Sequence, residues 1–99
     1  MRFAWDERKN RQNRRKHGVS FALAQEVFFD PFCLTVSDRV IDGEQRFWTV
    51  GRVEALAILV VVHTVRDEHS EEVIRILSAR KATPRERRFY EGYEDTDGS

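Results

Sequence analysis

The sequence predicts an α+β domain in which a small antiparallel sheet follows two helices and precedes a third. A strongly charged run between Asp6 and Gly18 has helix-capping residues at both ends. Four apolar stretches, alternating or continuous, lie between residues 32 and 80 and are separated by polar segments. A capping box starts a last helix at Pro84. The predicted order of elements is β-α-α-β-β-β-β-α.

The N-terminal part supplies a short strand at 2–5 and a helix at 7–17, which Asp6 and Gly18 cap. This helix has no aliphatic residue, and a helix that is polar on every side is normally not self-sustaining. Either the helix is weak, or a polar stripe on one face packs through hydrogen bonds. The members of that stripe would be Asn10, Asn13 and His17.

A second helix and four strands complete the predicted core. Ser20 caps a helix at 21–28, which Asp30-Pro31 ends. An Asp42-Gly43 pair marks a hairpin turn, and 66–72 is expected to be a polar loop. We expect the helices on one sheet face, with the other face partly open. The strands are predicted at 32–37, 44–52, 55–64 and 73–80, the third of them central and buried on both faces.

Charge is distributed very unevenly along this chain of 99 residues, although the formal net charge is zero. Segments 1–17 and 80–88 hold seven and five Lys or Arg residues, whereas 91–99 holds four acids and no base. A net charge of zero argues against nucleic-acid binding by the whole surface, but it is compatible with one basic face. We predict a single domain over 1–90 and an acidic, disordered tail over 91–99.

Several classes of function find no support in the sequence. The single cysteine, Cys33, excludes an internal disulfide and is expected to fill a small space in the core. A lone cysteine and the lack of a signal-like start favour the cytoplasm. The longest apolar run, 55–62, is too short to cross a bilayer. Neither metal-ligand spacing nor a Gly-rich phosphate loop nor a nucleophile motif is present.

The segment 75–90 is the most informative for function, because a strand leads through a cationic turn into a capped helix. Thr83 and Glu86 form the capping box, which holds Arg80 and Lys81 just ahead of the helix. Cations on a stiff element suit a polyanion binder or a phosphodiester-cleaving site. The alternative is a solvated surface, which is what most charged runs are.

Alternation along the strand at 44–52 defines a second candidate surface. Glu44, Arg46, Trp48 and Arg52 point to the same side. Such a face could supply a carboxylate base, two cations for a phosphate and a ring that stacks on a nucleobase. The alternative is an exposed strand face with cross-strand ion pairs.

The histidines and the last aromatic residues each have a structural alternative. His63 is either a buried structural residue or a proton-transfer group near Arg66. For His17, a structural role at the helix C-terminus is favoured. Phe89 is expected to dock the last helix on the sheet, and Tyr90 either shares that role or stacks on a base.

Taken together, these residues resemble the BrnT family over about residues 3–90. The Lys-His-Gly and Ser-Ala-Arg-Lys-Ala blocks are specific in combination and weak separately. The matching motifs are Trp5-Asp6-Glu7, Lys16-His17-Gly18-Val19-Ser20-Phe21, Glu44-x-Arg46, Val60-Val61-Val62-His63-Thr64 with Arg66, and Ser78-Ala79-Arg80-Lys81-Ala82.

The resemblance implies a RelE-like fold and the toxin of a type II toxin–antitoxin pair. Such a toxin would be a metal-independent endoribonuclease without a cofactor, which cleaves mRNA and inhibits translation. Its partner would be a BrnA-like antitoxin with a ribbon-helix-helix part, in a 2:2 complex that binds operator DNA through the antitoxin. The catalytic positions implied are Glu44, Arg46, His63, Arg66 and Arg80. The expected RNA contacts are Trp48, Arg52, Lys81 and Tyr90.

Two other functions are compatible with the same residues. The chain could be a non-catalytic RNA- or protein-binding module that uses the basic C-terminal turn. The turn could also serve only as an interface for an acidic antitoxin helix.

Overall fold

A computed structural model of the chain describes residues 1–54 and 57–92, in which five strands form one sheet. The strands are β1 (Arg2–Ala4), β2 (Leu34–Ile41), β3 (Glu44–Val53), β4 (Ala57–Glu68) and β5 (Glu71–Lys81). The helices are α1 (Glu7–His17), α2 (Phe21–Ala24), which continues as a 3-10 turn (Gln25–Phe29), and α3 (Pro84–Glu91). The spatial order is β1-β5-β4-β3-β2, with only the β1–β5 pair parallel.

This architecture confirms the predicted fold class and order of elements. Within the described residues no helix is long and apolar enough to cross a membrane. Two predictions fall partly outside the described residues, namely the start of the third strand at 55 and residues 93–99 of the predicted tail. Glu91, the first residue of the predicted tail, belongs to α3 instead.

The expected loop at 66–72 is wrong, because most of it is strand. β4 continues to Glu68 and β5 begins at Glu71, which leaves a turn of two residues. His69 and Ser70 both have positive φ, 52° and 65°, as a two-residue turn that follows the sheet twist requires. Asn-Gly and Asp-Gly are the usual sequences for this turn, so the pair His69-Ser70 did not indicate a turn in the sequence.

The Asp42-Gly43 turn is confirmed, with φ values of 51° and 77°. The strand before it is longer than the predicted 32–37, because pairing continues to Ile41 opposite Glu44. A register shift interrupts β2 between the turn and its first half. The register shift interrupts the alternation of side chains along the strand, so the sequence pattern did not predict its second half.

Helices lie on both faces of the sheet, not on one as expected. α2 and its 3-10 continuation cover the first face, whereas α1 is bonded to the edge of β5 at Ala79. The buried residues of this core are Val19, Phe21, Ala24, Val27, Val53, Leu59, Val61, Ile74, Ile76 and Ala79. α3 covers one end of the second face, where Trp48 and Tyr90 pack against Val50, Ile58 and Val60. β4 is therefore buried on both faces, as its unbroken apolar run predicted. Within residues 1–54 and 57–92, no helix covers the rest of the second face.

The 3-10 turn packs directly on β3 at Gly51. A Cβ at this position would lie 2.8 Å from Val27 Cγ1 and 3.1 Å from Cys33 Cβ. A larger residue would force the turn away from the sheet. Cys33 packs against the core, as predicted for it.

The helix α1 is attached to the sheet by an amide side chain. Asn13 Nδ2 donates to the carbonyls of Ala79 at 2.8 Å and Val19 at 2.9 Å. Its Oδ1 accepts from the Ala79 N–H at 3.1 Å. Because β1 pairs with β5 only at 73–75, the edge of β5 at Ala79 lacks a strand partner. The carboxamide of Asn13 supplies the hydrogen-bond donor and acceptor that a peptide group of a neighbouring strand would otherwise supply to Ala79.

The polar-stripe alternative for α1 is confirmed at two of its three positions. Asn10 Oδ1 accepts from the Phe21 N–H at 2.9 Å, and both Asn10 and Asn13 are buried. These bonds hold α1 against β5 and the start of α2. A helix without aliphatic residues is thus stable in this fold because buried amides replace apolar packing.

We predict that Asn13→Ala destabilises the protein by about 3 kcal/mol, because it leaves three buried backbone groups without partners. Urea unfolding followed by circular dichroism measures this change. Arg15→Ala on the exposed side of the same helix is the control and should change stability by less than about 0.5 kcal/mol. Equal stability of the two variants would contradict the anchoring role.

Candidate active site

The part of the second sheet face that α3 leaves uncovered, here called the open face, is rich in arginine. The alternation of side chains along each strand and the register between strands place these residues on the same surface. Arg75 of β5 lies opposite Thr64 of β4, and β1 is the neighbour of β5. The open face consists of Arg2, Glu44, Arg46, Thr64, Arg66 and Arg75. Three of the predicted catalytic residues, Glu44, Arg46 and Arg66, therefore share one surface.

Glu44 and Arg66 contact each other on the open face. Arg66 Nη2 donates to Glu44 Oε2 at 3.0 Å, and Arg66 Nη1 lies 4.0 Å from Glu68 Oε2. This is the cross-strand ion pair that the sequence left as an alternative. Exposed pairs of this kind contribute little to stability, so a phosphate can replace the carboxylate at small cost.

Arg46 is the least satisfied cation of the open face. Its Nε is buried and, within the described residues, has no hydrogen-bond partner. A buried donor without an acceptor is unfavourable by about 1–3 kcal/mol. A phosphate oxygen would reach this buried nitrogen only after the atoms that cover it move, whereas the side chain of Arg46 as a whole lines a groove.

A groove of about 370 Å³ lies between α1 and the sheet, and Arg46 lines it. The helix contributes Lys9, Gln12, Asn13, Lys16 and His17. The sheet contributes Arg46, Val62, Leu77 and Ser78. A register shift places Ser78 opposite Val62 and Ile76 opposite His63, which leaves Leu77 as an extra residue. This bulge brings two consecutive residues of β5 to the groove.

The sequence reasoning missed the cations that α1 brings to this groove. Lys9, Lys16 and His17 lie beside Arg46, although a structural role was favoured for His17. The available signal was the spacing of Asn13 and His17, which are one helical turn apart and share a face. Anchoring Asn13 to the sheet brings His17 to the same side.

His63 lies on the first face, away from the open face, and only 1% of it is exposed. Its Nε2 is 2.8 Å from Thr49 Oγ1, and its ring packs between Phe28 and Phe47 at 4.9 and 5.8 Å. Burial lowers the pKa of His63 to about 4, so the ring is neutral near pH 7. This geometry favours the structural alternative for His63.

Arg80 is held by α3. Its Nη1 and Nη2 donate to the two carboxylate oxygens of Glu86 at 2.7 and 3.0 Å. These bonds from Arg80 lower the pKa of Glu86 to about 2. Glu86 also completes the predicted capping box with Thr83. Arg80→Ala would therefore remove a helix anchor as well as a cation, and this variant alone cannot separate the two roles.

The four predicted RNA contacts lie around α3. Tyr90 docks the helix, since its hydroxyl donates to Asp30 Oδ2 at 2.5 Å and the Arg52 guanidinium lies 5.6 Å from its ring centre. Trp48 packs edge-on against Phe89 at 5.9 Å. Phe89 itself is 47% exposed, so Tyr90 rather than Phe89 is the main docking residue. The fourth predicted contact, Lys81, is exposed at the end of β5.

Comparison with known proteins identifies the family. The sequence model of the family described as "Ribonuclease toxin, BrnT, of type II toxin-antitoxin system" matches residues 5–86. The chain belongs to the BrnT family. Among solved structures, the ribonuclease toxin BrnT of Brucella abortus is similar, with 28% identity and a TM-score of 0.60 over 84% of this chain and 97% of that chain. A comparison with curated proteins gives no match.

BrnT membership confirms the family and fold class that the sequence motifs indicated. The matched region extends from Trp5 to Glu86 and includes the whole groove and all of the open face except Arg2. In residues 1–54 and 57–92 no group of three or more His, Cys, Asp or Glu side chains is arranged to hold a metal ion.

We predict that lowering the pH from about 7 to about 5 costs about 2 kcal/mol of stability through His63. The unfolded chain binds a proton near the ordinary pKa of 6.5, whereas the folded chain does so only near 4. Stability is therefore lost as the pH falls through this interval. Urea unfolding at the two pH values measures the loss, which should largely disappear in His63→Gln. An unchanged loss in that variant would contradict the assignment.

Proposed function

We propose that this BrnT chain is a metal-independent endoribonuclease that cleaves RNA on its open face. Its membership in a family of ribonuclease toxins supports the reaction class. Arg46 supports the location, because it lines a groove without acidic side chains and forms no ion pair within the described residues, so a phosphate can serve as its counter-charge.

In the proposed reaction, the ribose 2′-OH attacks the adjacent phosphorus and the bond to the 5′ oxygen breaks. The products are a 2′,3′-cyclic phosphate and a 5′-OH. Glu44 would take the 2′-OH proton, because its carboxylate lies on the open face two residues before Arg46. Arg46 and Arg66 would stabilise the negative charge that develops on the phosphorane oxygens.

The Glu44–Arg66 ion pair provides a simple way to activate the base. A phosphate that binds Arg66 competes with the carboxylate for the same N–H groups. Glu44 is then released to accept the proton. Arg80 lies at the border of the open face and would contact a phosphate only by exchanging Glu86 for it.

RNA beyond the cleaved bond would follow the remaining cations. Lys81 is exposed for phosphate contact, and Trp48 offers part of its ring beside Arg46. We assign Arg52 and Tyr90 mainly to the docking of α3, since both already contact residues there.

We predict that Arg46→Ala lowers the rate of RNA cleavage by about 10²- to 10³-fold. The measurement uses purified protein, a short fluorescent RNA and analysis of the new ends. Arg39→Ala is the matched control, because Arg39 lies on β2 with its side chain 73% exposed. Cleavage by the unaltered protein should persist in EDTA.

Three outcomes would contradict the proposal. Full activity of Arg46→Ala would exclude the proposed site. Loss of cleavage in EDTA that Mg²⁺ restores would exclude the metal-independent reaction. Salt-dependent RNA binding without any cleavage would favour the non-catalytic binding module.

We also propose that the partner is a BrnA-like ribbon-helix-helix antitoxin, in a 2:2 complex that binds operator DNA, and that the free toxin inhibits translation. A type II system implies an antitoxin protein. None of the Lys and Arg residues of α1 forms an ion pair within the described residues, so this basic surface is available to an acidic partner.

We predict that the product of the neighbouring reading frame, co-expressed with this chain, copurifies with it as one species and relieves its growth arrest. Size-exclusion chromatography with light scattering measures the stoichiometry. Separate elution of the two proteins, or arrest that persists on co-expression, would contradict the partner assignment.

A further inference from the structure

The proposed reaction needs a proton for the departing 5′ oxygen, and the groove between α1 and the sheet contains a residue that can provide it. We infer that His17 is the general acid and that the leaving side of the scissile phosphate lies in this groove. This inference rests on the proposed ribonuclease function.

The fold holds His17 in a defined position. Asn13, one turn earlier on the same face, is bonded to both backbone groups of Ala79. Gly18 ends the helix with a φ of 73°, and its N–H donates to the Arg14 carbonyl at 2.8 Å. The backbone of His17 is therefore tied down on both sides. Its ring makes no hydrogen bond within the part of the chain that the structure describes, so it can donate to a substrate.

The groove has the electrostatics that a phosphodiester requires. Lys9 and Lys16 of α1 and Arg46 of β3 line it together with His17. The neighbouring strands β4 and β5 contribute Val62, Leu77 and Ser78, and no acid among the described residues lines the groove. Its charge is thus positive, and a bound phosphate would be the main counter-charge.

The position of Arg46 relates the groove to the open face. In an in-line displacement, base and acid act on opposite sides of the phosphorus. Arg46 lines the groove that holds His17, whereas Glu44 lies outside the groove, two residues away on the same strand face. In the inferred arrangement a phosphate bound to Arg46 lies between Glu44 on the open face and His17 in the groove.

Other proton donors are less suitable. His63 is buried on the opposite face, and His69 lies in the turn between β4 and β5. The lysines of the groove carry ammonium groups, which are weaker acids than an imidazolium and donate less readily near neutral pH. In the inferred step the imidazolium gives its proton to the 5′ oxygen as the P–O bond breaks, and it becomes neutral.

The test compares His17→Asn with the matched control His69→Asn in single-turnover cleavage of a short RNA. We expect His17→Asn to cleave about 10²- to 10⁴-fold more slowly and the control to match the unaltered protein. Binding of a 2′-deoxy analogue, measured by fluorescence anisotropy, should change less than about threefold in His17→Asn.

A substrate with a sulfur atom in place of the 5′ oxygen at the cleaved bond separates chemistry from structure. A thiolate leaves without a proton, so His17→Asn should cleave this substrate within about tenfold of the unaltered protein. A structural defect would slow both substrates equally.

Several results would overturn the inference. Cleavage of the oxygen substrate at an unaltered rate would exclude His17 as the acid and leave the open-face site standing. An equal loss with oxygen and sulfur substrates, or lost binding of the analogue, would assign His17 to folding or binding instead. Absence of cleavage by the unaltered protein would reject the ribonuclease function itself.

Discussion

The contact between the Asn13 carboxamide and the edge of β5 is the interaction on which the proposed site depends. The helix α1 has no aliphatic residue, so apolar burial cannot attach it to the sheet. The short β1 strand leaves the backbone of Ala79 unpaired at the sheet edge, and Asn13 satisfies it. This anchoring places the cations of α1 beside Arg46. Without it, the groove would lose the wall that carries His17.

The two faces of the sheet have different tasks. The first face carries the main core beneath α2 and its 3-10 continuation. On the second face α3 covers one end only, held by the Arg80–Glu86 bonds and by the Tyr90 hydroxyl on Asp30. In the part of the chain that the structure describes, no helix covers the remainder of this face, which carries arginines. Stability and the proposed chemistry thus use separate parts of one small domain.

Pairing of charges explains how a chain with zero net charge can offer a surface for a polyanion. Arg66 and Arg80 contact carboxylates of Glu44 and Glu86. Within the described residues, Arg46 and the cations of α1 have no such partners, so the local potential there is positive. Net charge therefore says little about whether this surface can bind a polyanion, whereas the distribution of cations without carboxylate partners says much.

The sequence by itself determined the local elements and named three of the four residues of the proposed catalytic set, Glu44, Arg46 and Arg66. Capping residues defined α1 and α3, Asp42-Gly43 defined a turn, and alternation placed Glu44 with Arg46, because these signals act between neighbours in the chain. Only the tertiary structure decided which face α3 covers, that His63 is buried, that Arg80 is bonded to Glu86, and that His17 adjoins Arg46. Each of these depends on contacts between distant segments, and the bulge at Leu77 also changes which side of β5 a residue faces.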